Sequence, residues 1–210
     1  MNILIVVATE IEISKDVLNR IKNIQNHKVD ILVTGMGVPS AMYHLSKYLF
    51  SEKTKVFPLD LVVNIGIAGS FKNNLQNGEV VQVVQDTYAD LGFDDKGEFK
   101  HISELTNDSI FIKNQHSFAL SLKPVKGITV NTVTGNEKRR LQLMQKYHPD
   151  IETMESAAIF DVCTKENIPF IAFRAISNEV GERDKSNWNI SLAVHNLWLT
   201  LFDFINSLKK

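Results

Sequence analysis

A single cysteine, Cys163, stands in the 210 residues, so no disulfide can close within the chain. A small buried side chain on a helix is the expectation for it, not a reactive thiol. No apolar stretch is long enough to span a bilayer. No cationic leader with an apolar segment and cleavage site precedes the strand-like Ile3–Val7, which points to a cytoplasmic protein. An excess of one charge is also missing: 23 Lys and Arg face 24 Asp and Glu, a formal net charge of -1. Nothing in that balance favours nucleic acid or anionic membrane as a partner, so any anion recognition must be local. The six histidines (His27, His44, His101, His116, His148 and His195) show no metal-ligand spacing and no H-E-x-x-H pattern, so no metal site is expected. Internal repeats, low-complexity tracts and interdomain linkers are absent as well. With 44% hydrophobic and 22% charged residues, the chain reads as one globular domain over residues 1–210, long enough to bury a substantial core.

What is present is an alternation of short apolar, β-branched runs with longer amphipathic segments, the pattern of an α/β protein. Strands are expected at Ile3–Val7, Asp30–Val33, Leu61–Ile65, Val80–Val84, Ile128–Val133 and Ile168–Arg174. Several are apolar throughout, which implies burial on both faces. Helices are expected at Ile11–Lys22, Pro39–Phe50, Glu137–Tyr147, Ser156–Glu166 and Asn187–Leu208. Pro39 suits a first helical turn, where a missing backbone donor costs little. The region from Asp86 to Lys123 is less regular and reads as a lid or a subunit contact.

Polar clusters fall directly after expected strands: Thr9-Glu10-Ile11-Glu12, Gly35-Met36-Gly37, Gly66-Ile67-Ala68-Gly69-Ser70 and Arg174-Ala175-Ile176-Ser177-Asn178. In a largely parallel sheet such carboxyl ends gather on one edge and can share a small-molecule pocket. The glycine segments complete no dinucleotide fingerprint, because Ser40 occupies the third glycine position after Gly35 and Gly37, and no P-loop Gly-Lys follows. Taken alone they mark tight turns. Glu10 and Glu12 suit the start of the first helix, and Glu152 and Glu155 flank Met154 at the start of another, where carboxylates are favoured by the exposed N–H groups. Asn178 carries an amide that can donate to a purine with an oxygen at position 6, whereas a carboxylate would better suit a 6-amino purine. The alternative for Ser177-Asn178 is a plain turn after the strand.

The order of Thr9-Glu10-Ile11-Glu12, Gly66-Ile67-Ala68-Gly69, Glu152-Thr153-Met154-Glu155-Ser156-Ala157-Ala158 and Arg174-Ala175-Ile176-Ser177-Asn178 resembles that of the nucleoside phosphorylase and nucleosidase superfamily. The likeness runs from Met1 into the last helix. Asp86-Thr87-Tyr88-Ala89-Asp90-Leu91-Gly92 and the stretch from Ser177 to Asp184 lie nearest the futalosine hydrolase branch. The resemblance implies a single-domain three-layer α/β sandwich with a central mixed, mostly parallel twisted sheet. It also implies hydrolysis of the N-glycosidic bond of a 6-oxopurine nucleoside, without a cofactor. Under it, Glu12 activates water and Asn178 holds the departing base. Glu155 meets the ribose hydroxyls beside Met154, and Ala68, Gly69 and Ser177 border the substrate. Arg174 orients Glu12 or Glu155, with a structural ion pair as its alternative. Trp188 stacks on the 5′ tail, whose carboxylate meets Arg183 or Lys185, with Lys138 and Arg139 as competitors. Relatives self-associate, so a homo-oligomer is implied, often with the Asp86–Phe99 region near a neighbouring subunit. Three other readings stand beside this one: a methylthioadenosine/adenosylhomocysteine-type nucleosidase, a phosphate-dependent phosphorylase, and a nucleoside-binding protein without turnover. Two carboxylates in the first loop count against phosphate as the nucleophile.

Overall fold

Alternate residues along the central strands go to opposite sides, and both sides are apolar. Leu4 and Val6 pack into one core with Val62, Ala172 and Ile176, while Ile3, Ile5 and Val7 pack into another with Val63, Ile171 and Phe173. A strand buried on both faces needs helices on both faces, and the chain supplies them. The structure, a computed structural model, describes every residue except Ser14, Ser117, Ala119, Leu120, Arg183, Lys209 and Lys210; of Lys15 and Lys185 only the backbone is described.

The strands are β1 (Asn2–Val7), β2 (Lys28–Val33), β3 (Leu61–Ser70), β4 (Val80–Asp86), β5 (Gly92–Asp95), β6 (Glu98–His101), β7 (Ile112–Lys113), β8 (Lys123–Thr129), β9 (Ile151–Thr153) and β10 (Phe170–Glu179). The helices are α1 (Lys15–Lys22), α2 (Val38–Leu49), α3 (Glu52–Val56), α4 (Ser103–Thr106), α5 (Glu137–Tyr147), α6 (Ser156–Lys165) and α7 (Ile190–Ser207), with short 3-10 turns at Glu10–Glu12 and Lys185–Asn187. Helices α2 and α6 contribute Ala41, Leu45, Ile159 and Cys163 to one core. On the other face, α1 and α7 contribute Val17, Ile21, Leu197, Leu201 and Phe202. Each such fully buried large side chain contributes about 1.5–3 kcal/mol relative to exposure. The result is three layers around a mixed sheet in which β1–β2, β1–β3, β3–β10, β4–β8 and β8–β9 run parallel. The expected architecture is therefore the observed one.

The pairing of β3 creates the site. On one edge β1 accompanies it only as far as Asn64, opposite Val6, and β9 takes over at Gly69 and Ser70. On the other edge β10 follows it from Val62 to Ser70. Between the end of β1 and the start of β9 the first edge of β3 is open, and the chain leaving β1 turns there.

Several sequence expectations shift. The glycine segment from Gly66 does not follow a strand but lies within β3, and Asn178 lies within β10, because pairing between β3 and β10 carries both strands five residues past their expected ends. A plain turn at Ser177-Asn178 is excluded by this pairing; a bulge between Ile176 and Asn178 interrupts the register instead. The strand expected at Ile128–Val133 is β8, five residues earlier, with its polar Lys123–Lys126 half held by β4. The first helix divides into the Glu10–Glu12 turn and α1. Glu152 sits in β9, not at a helix start. The irregular region from Asp86 contains the β5–β6 hairpin, α4 and β7. Cys163 is fully buried on α6. Among the described residues, no helix is long and apolar enough to cross a membrane.

Candidate active site

A cavity of about 390 Å³ opens over the exposed part of β3. Its wall draws on the turn after β1 (Ala8, Thr9, Ile11 and Glu12), the middle of β3 (Asn64 to Gly69), β9 with the turn into α6 (Glu152 to Glu155), and the end of β10 (Arg174, Ser177 and Asn178). Trp188 closes one side. The structure thus brings together Glu12, Ala68, Gly69, Met154, Glu155, Arg174, Ser177, Asn178 and Trp188 at one cavity. Glu10, one residue before the wall residue Ile11, points to solvent.

Glu12 is 6% exposed. Its Oε2 accepts from the backbone N–H of Ala8 at 3.1 Å and of Thr9 at 3.0 Å. The same residue's carbonyl accepts from the indole N–H of Trp198 on α7. A side chain tied to the turn before it, and a main chain tied to a distant helix, leave the carboxylate little freedom. Burial raises its pKa above the usual glutamate range; the Thr9 N–H and the charge of Arg174 oppose the rise, and Glu155 adds to it.

Glu155 comes from the opposite direction. Its Oε1 accepts from Gly37 N–H at 2.8 Å, at the start of α2. Gly37 has φ 85, a left-handed conformation that favours glycine and aims this N–H outward. Burial raises the pKa of Glu155 too, against the Gly37 hydrogen bond and Arg174.

Arg174 is 2% exposed and balances these acids from within the core. Its guanidinium donates to the Asn64 carbonyl at 3.2 Å, the Phe173 carbonyl at 2.7 Å and Asn64 Oδ1 at 2.5 Å. It acts electrostatically on Glu155, Asp86 and Glu12. A Cβ placed on Gly66 would lie 3.4 Å from Glu12 Oε1 and 3.6 Å from Arg174 Nε, so acid and cation meet over this bare glycine. Among the described residues, Arg174 is the sole cation of the cavity wall, against Glu12, Glu152, Glu155, Glu179 and Glu182. Three of its five N–H donors are engaged by backbone and amide oxygens.

Asn178 stands opposite Gly69 in the β3–β10 register. Its Nδ2 donates to the Glu179 carbonyl at 2.7 Å, and its Oδ1 accepts from Ser177 Oγ at 2.8 Å. Since the Glu179 oxygen can only accept, the nitrogen must face it, and one amide hydrogen is left for a ligand. Gly69 is required here: a Cβ would fall 2.8 Å from Val180 Cγ2 and 3.3 Å from Asn178 Nδ2.

Of the cations expected at the tail, neither Lys138 nor Arg139 is on this wall. Arg183 lies outside the described residues, as does the side chain of Lys185. Lys138 is exposed on α5, and Arg139 turns to Asp90 at 3.8 Å. Arg140, not singled out from the sequence, faces an adjoining polar cleft, where it pairs with Glu137. Asn64 was legible only as a polar residue inside an apolar run. Thr134 had no sequence signal tying it to a ligand, Gly37 and Glu152 were legible only as members of the polar clusters and motifs around the expected site, and Trp198 is 186 positions from the carbonyl it holds.

A sequence profile of the Phosphorylase superfamily matches residues 19–198. The chain is 28% identical over 173 residues to the futalosine hydrolase of Streptomyces coelicolor, covering 79% of this chain and 73% of that protein. It is 26% identical over 195 residues to the 5′-methylthioadenosine/S-adenosylhomocysteine nucleosidase of a Geobacillus species, covering 86% and 82%. Among solved structures, the 5′-methylthioadenosine/S-adenosylhomocysteine nucleosidase of Helicobacter pylori superposes with a TM-score of 0.83 at 16% identity, over 99% of both chains. With 180 consecutive positions inside the profile, this chain belongs to the phosphorylase superfamily.

Proposed function

We propose that the protein is a nucleosidase that hydrolyses the N-glycosidic bond of a 6-oxopurine nucleoside, with futalosine as substrate and hypoxanthine and dehypoxanthine futalosine as products. That reaction lies in menaquinone biosynthesis, and the relative from Streptomyces coelicolor supports it. The observation that carries the reading is the pairing of a buried, backbone-held carboxylate, Glu12, with an oriented neutral amide, Asn178, on one cavity wall.

Breaking C1′–N9 builds positive charge on the ribosyl ring and negative charge on the base. Glu12 takes a proton from water as the water oxygen bonds to C1′, and its charge favours the cationic ring at the same time. Glu155 has two oxygens for the two ribose hydroxyls; one is already oriented by Gly37, and the Met154 backbone lies alongside. Arg174 lowers the pKa of both acids, against burial and the repulsion between them. The electron pair of the broken bond enters the purine, whose N7 receives a proton through water. Asn178 donates its remaining hydrogen to the O6 and N7 edge, held in that posture by Ser177 and Glu179. Ala68 and Gly69 let the ring lie close to β3. Trp188 offers an aromatic face to the 5′ tail. No step needs a cofactor.

Phosphate is disfavoured as the nucleophile because the described wall holds five carboxylates against one cation. Self-association is part of the reading: Ile11, Met36 and Val133 at the cavity wall are 82%, 68% and 41% exposed, a surface suited to a second copy. The lone buried Cys163 fits a reducing compartment such as the cytoplasm. The relative from Geobacillus favours a second reading, an adenine-releasing nucleosidase. One assay separates them: the purified protein is incubated with futalosine, inosine and methylthioadenosine, with and without phosphate, and free base is followed. Hypoxanthine from futalosine without phosphate is expected. Adenine as the main product would establish the second reading, and strict phosphate dependence would move the protein to the transferases.

A further inference from the structure

Arg174 is surrounded by acids yet paired with none of them. Glu155 on the turn into α6, Asp86 on β4 and Glu12 on the turn after β1 all act on its charge. Among the described residues, however, it enters no direct ion pair. Its guanidinium donates to neutral oxygens, two of them from one residue: the Asn64 carbonyl at 3.2 Å and Asn64 Oδ1 at 2.5 Å. Meanwhile Arg174 Nε and Glu12 Oε1 lie 3.6 and 3.4 Å from the same point above Gly66. The acid is close enough to capture a cation that nothing else held.

Asn64 is what holds it. This residue is 2% exposed, a polar side chain inside the apolar run of β3, and the last position at which β3 pairs with β1. It stands opposite Val6 on one side and opposite Ala172, two residues before Arg174, on the other. Paired residues and those two further along a strand share a face, so the Asn64 and Arg174 side chains rise from the same side of the sheet. The neighbours fix which way the amide is turned. A guanidinium can only donate, so Oδ1 faces Arg174; the Val6 carbonyl can only accept, so Nδ2 faces it at 3.2 Å. The amide therefore ties the cation to the strand end that leads into the Glu12 turn. Being neutral, it receives hydrogen bonds without cancelling the charge.

We infer that Asn64 is a positioning residue, which holds Arg174 out of an ion pair with Glu12 and Glu155 while leaving its full charge to act on both. The inference rests on the proposed nucleosidase reading and deepens it, because it explains how two carboxylates beside an arginine stay available to water and to the ribose diol. An arginine paired bidentately with Glu12 would occupy the lone pairs that must take the proton. An arginine bonded to an added carboxylate would leave the two acids to repel each other. A neutral amide avoids both.

The test is the pH profile of kcat/KM for the full-length wild type, Asn64→Ala and Asn64→Asp, on whichever of futalosine and methylthioadenosine the wild type cleaves, with urea titrations to establish that each variant is folded. The acid limb reports Glu12, which faces Arg174 and Glu155. Asn64→Ala frees the guanidinium to pair with the acids, so the limb moves down by about half a unit or more and the plateau kcat falls about tenfold. Asn64→Asp neutralises the guanidinium, so the limb moves up by about one unit: below it kcat/KM falls about tenfold, and above it returns to within about threefold of wild type. Asp86, the third acid around Arg174, is unaltered in both variants, so a contrast of sign is not its doing. A residue that merely supports the fold would lower activity at every pH and leave the limb in place. That result in either folded variant, or shifts of one sign in both, overturns the inference and leaves the nucleosidase reading intact. Wild type that cleaves neither nucleoside overturns both.

Discussion

At the Gly66 end of the cavity, two acids are held by backbone N–H groups: Glu12 by Ala8 and Thr9 of its own turn, Glu155 by Gly37 across 118 positions of sequence. At the Gly69 end, Asn178 is held by its own neighbours, Ser177 and Glu179. The ends are three residues of β3 apart, about 10 Å. The first end concentrates charge in a buried place, where burial raises both glutamates and three acids share one cation. The second exposes a neutral group whose orientation is set by a single strand bulge. Under the proposed function, the difference makes turnover and base choice separable: the acid end depends on the long-range ties of Glu155 to Gly37, Arg174 to Asn64 and Trp198 to the Glu12 carbonyl, the other end on the local course of β10.

Breaking the acid end should have the largest effect. Glu12→Gln keeps the acceptor for Ala8 and Thr9 but removes the base, and single-turnover release of hypoxanthine should fall by about 10²–10⁴-fold or more while ligand affinity stays within a few-fold. Retained turnover would show that another group activates water.

The charge balance of that end can be tested through Asp86, which is fully buried at the end of β4. Its Oδ1 accepts from Thr87 N–H and Thr129 Oγ1, and burial raises its pKa to about 7, against the pull of Thr129 and Arg174. In the unfolded chain it ionises near pH ~4, so between about pH 4 and 7 the folded state holds a proton that the unfolded state has lost. Its contribution to stability must then fall as pH rises through that window. Asp86→Asn removes this loss, and its unfolding free energy relative to wild type should improve by up to about 4 kcal/mol between pH 4 and 8. Parallel pH profiles from urea titrations would contradict the assignment.

Perturbing the other end should be milder. Gly69→Ala drives a Cβ into Val180 and against Asn178, so the base site should shift and the KM for futalosine rise about tenfold, with single-turnover chemistry at saturation less affected. The smallest effect expected is on pH dependence: the acid limb of kcat/KM should lie above the usual glutamate range, because the burial that raises Glu12 delays its ionisation. A limb at or below that range would mean that Glu12 is solvated in the working enzyme.

Much of this was legible because period and composition report local facts. The apolar runs at Ile3–Val7, Leu61–Ile65 and Ile168–Arg174 announce strands buried on two faces, and the polar residues after them announce a ligand edge. Glu137–Tyr147 was legible to the residue, since Asn136 caps it through Arg139 N–H. What could not be read were facts of register. Nothing in Thr153 or Glu152 marks β9, three residues long, because its strand character comes from pairing with β3 and β8. The free edge of β3 arises from where β1 stops. Asn178 was recognisable as an amide near a strand end, but that Glu179 takes one of its two hydrogens depends on the bulge at Ser177.

The most direct test of the divided cavity is the ratio of kcat/KM for futalosine to that for methylthioadenosine in wild type and Asn178→Asp. An ionised aspartate would set a second oxygen against the Glu179 carbonyl, where Nδ2 now donates at 2.7 Å, and would face O6 without a hydrogen. The ratio should fall at least about tenfold, with release of adenine rising relative to hypoxanthine. An unchanged ratio would contradict the claim that this end of the cavity selects the base.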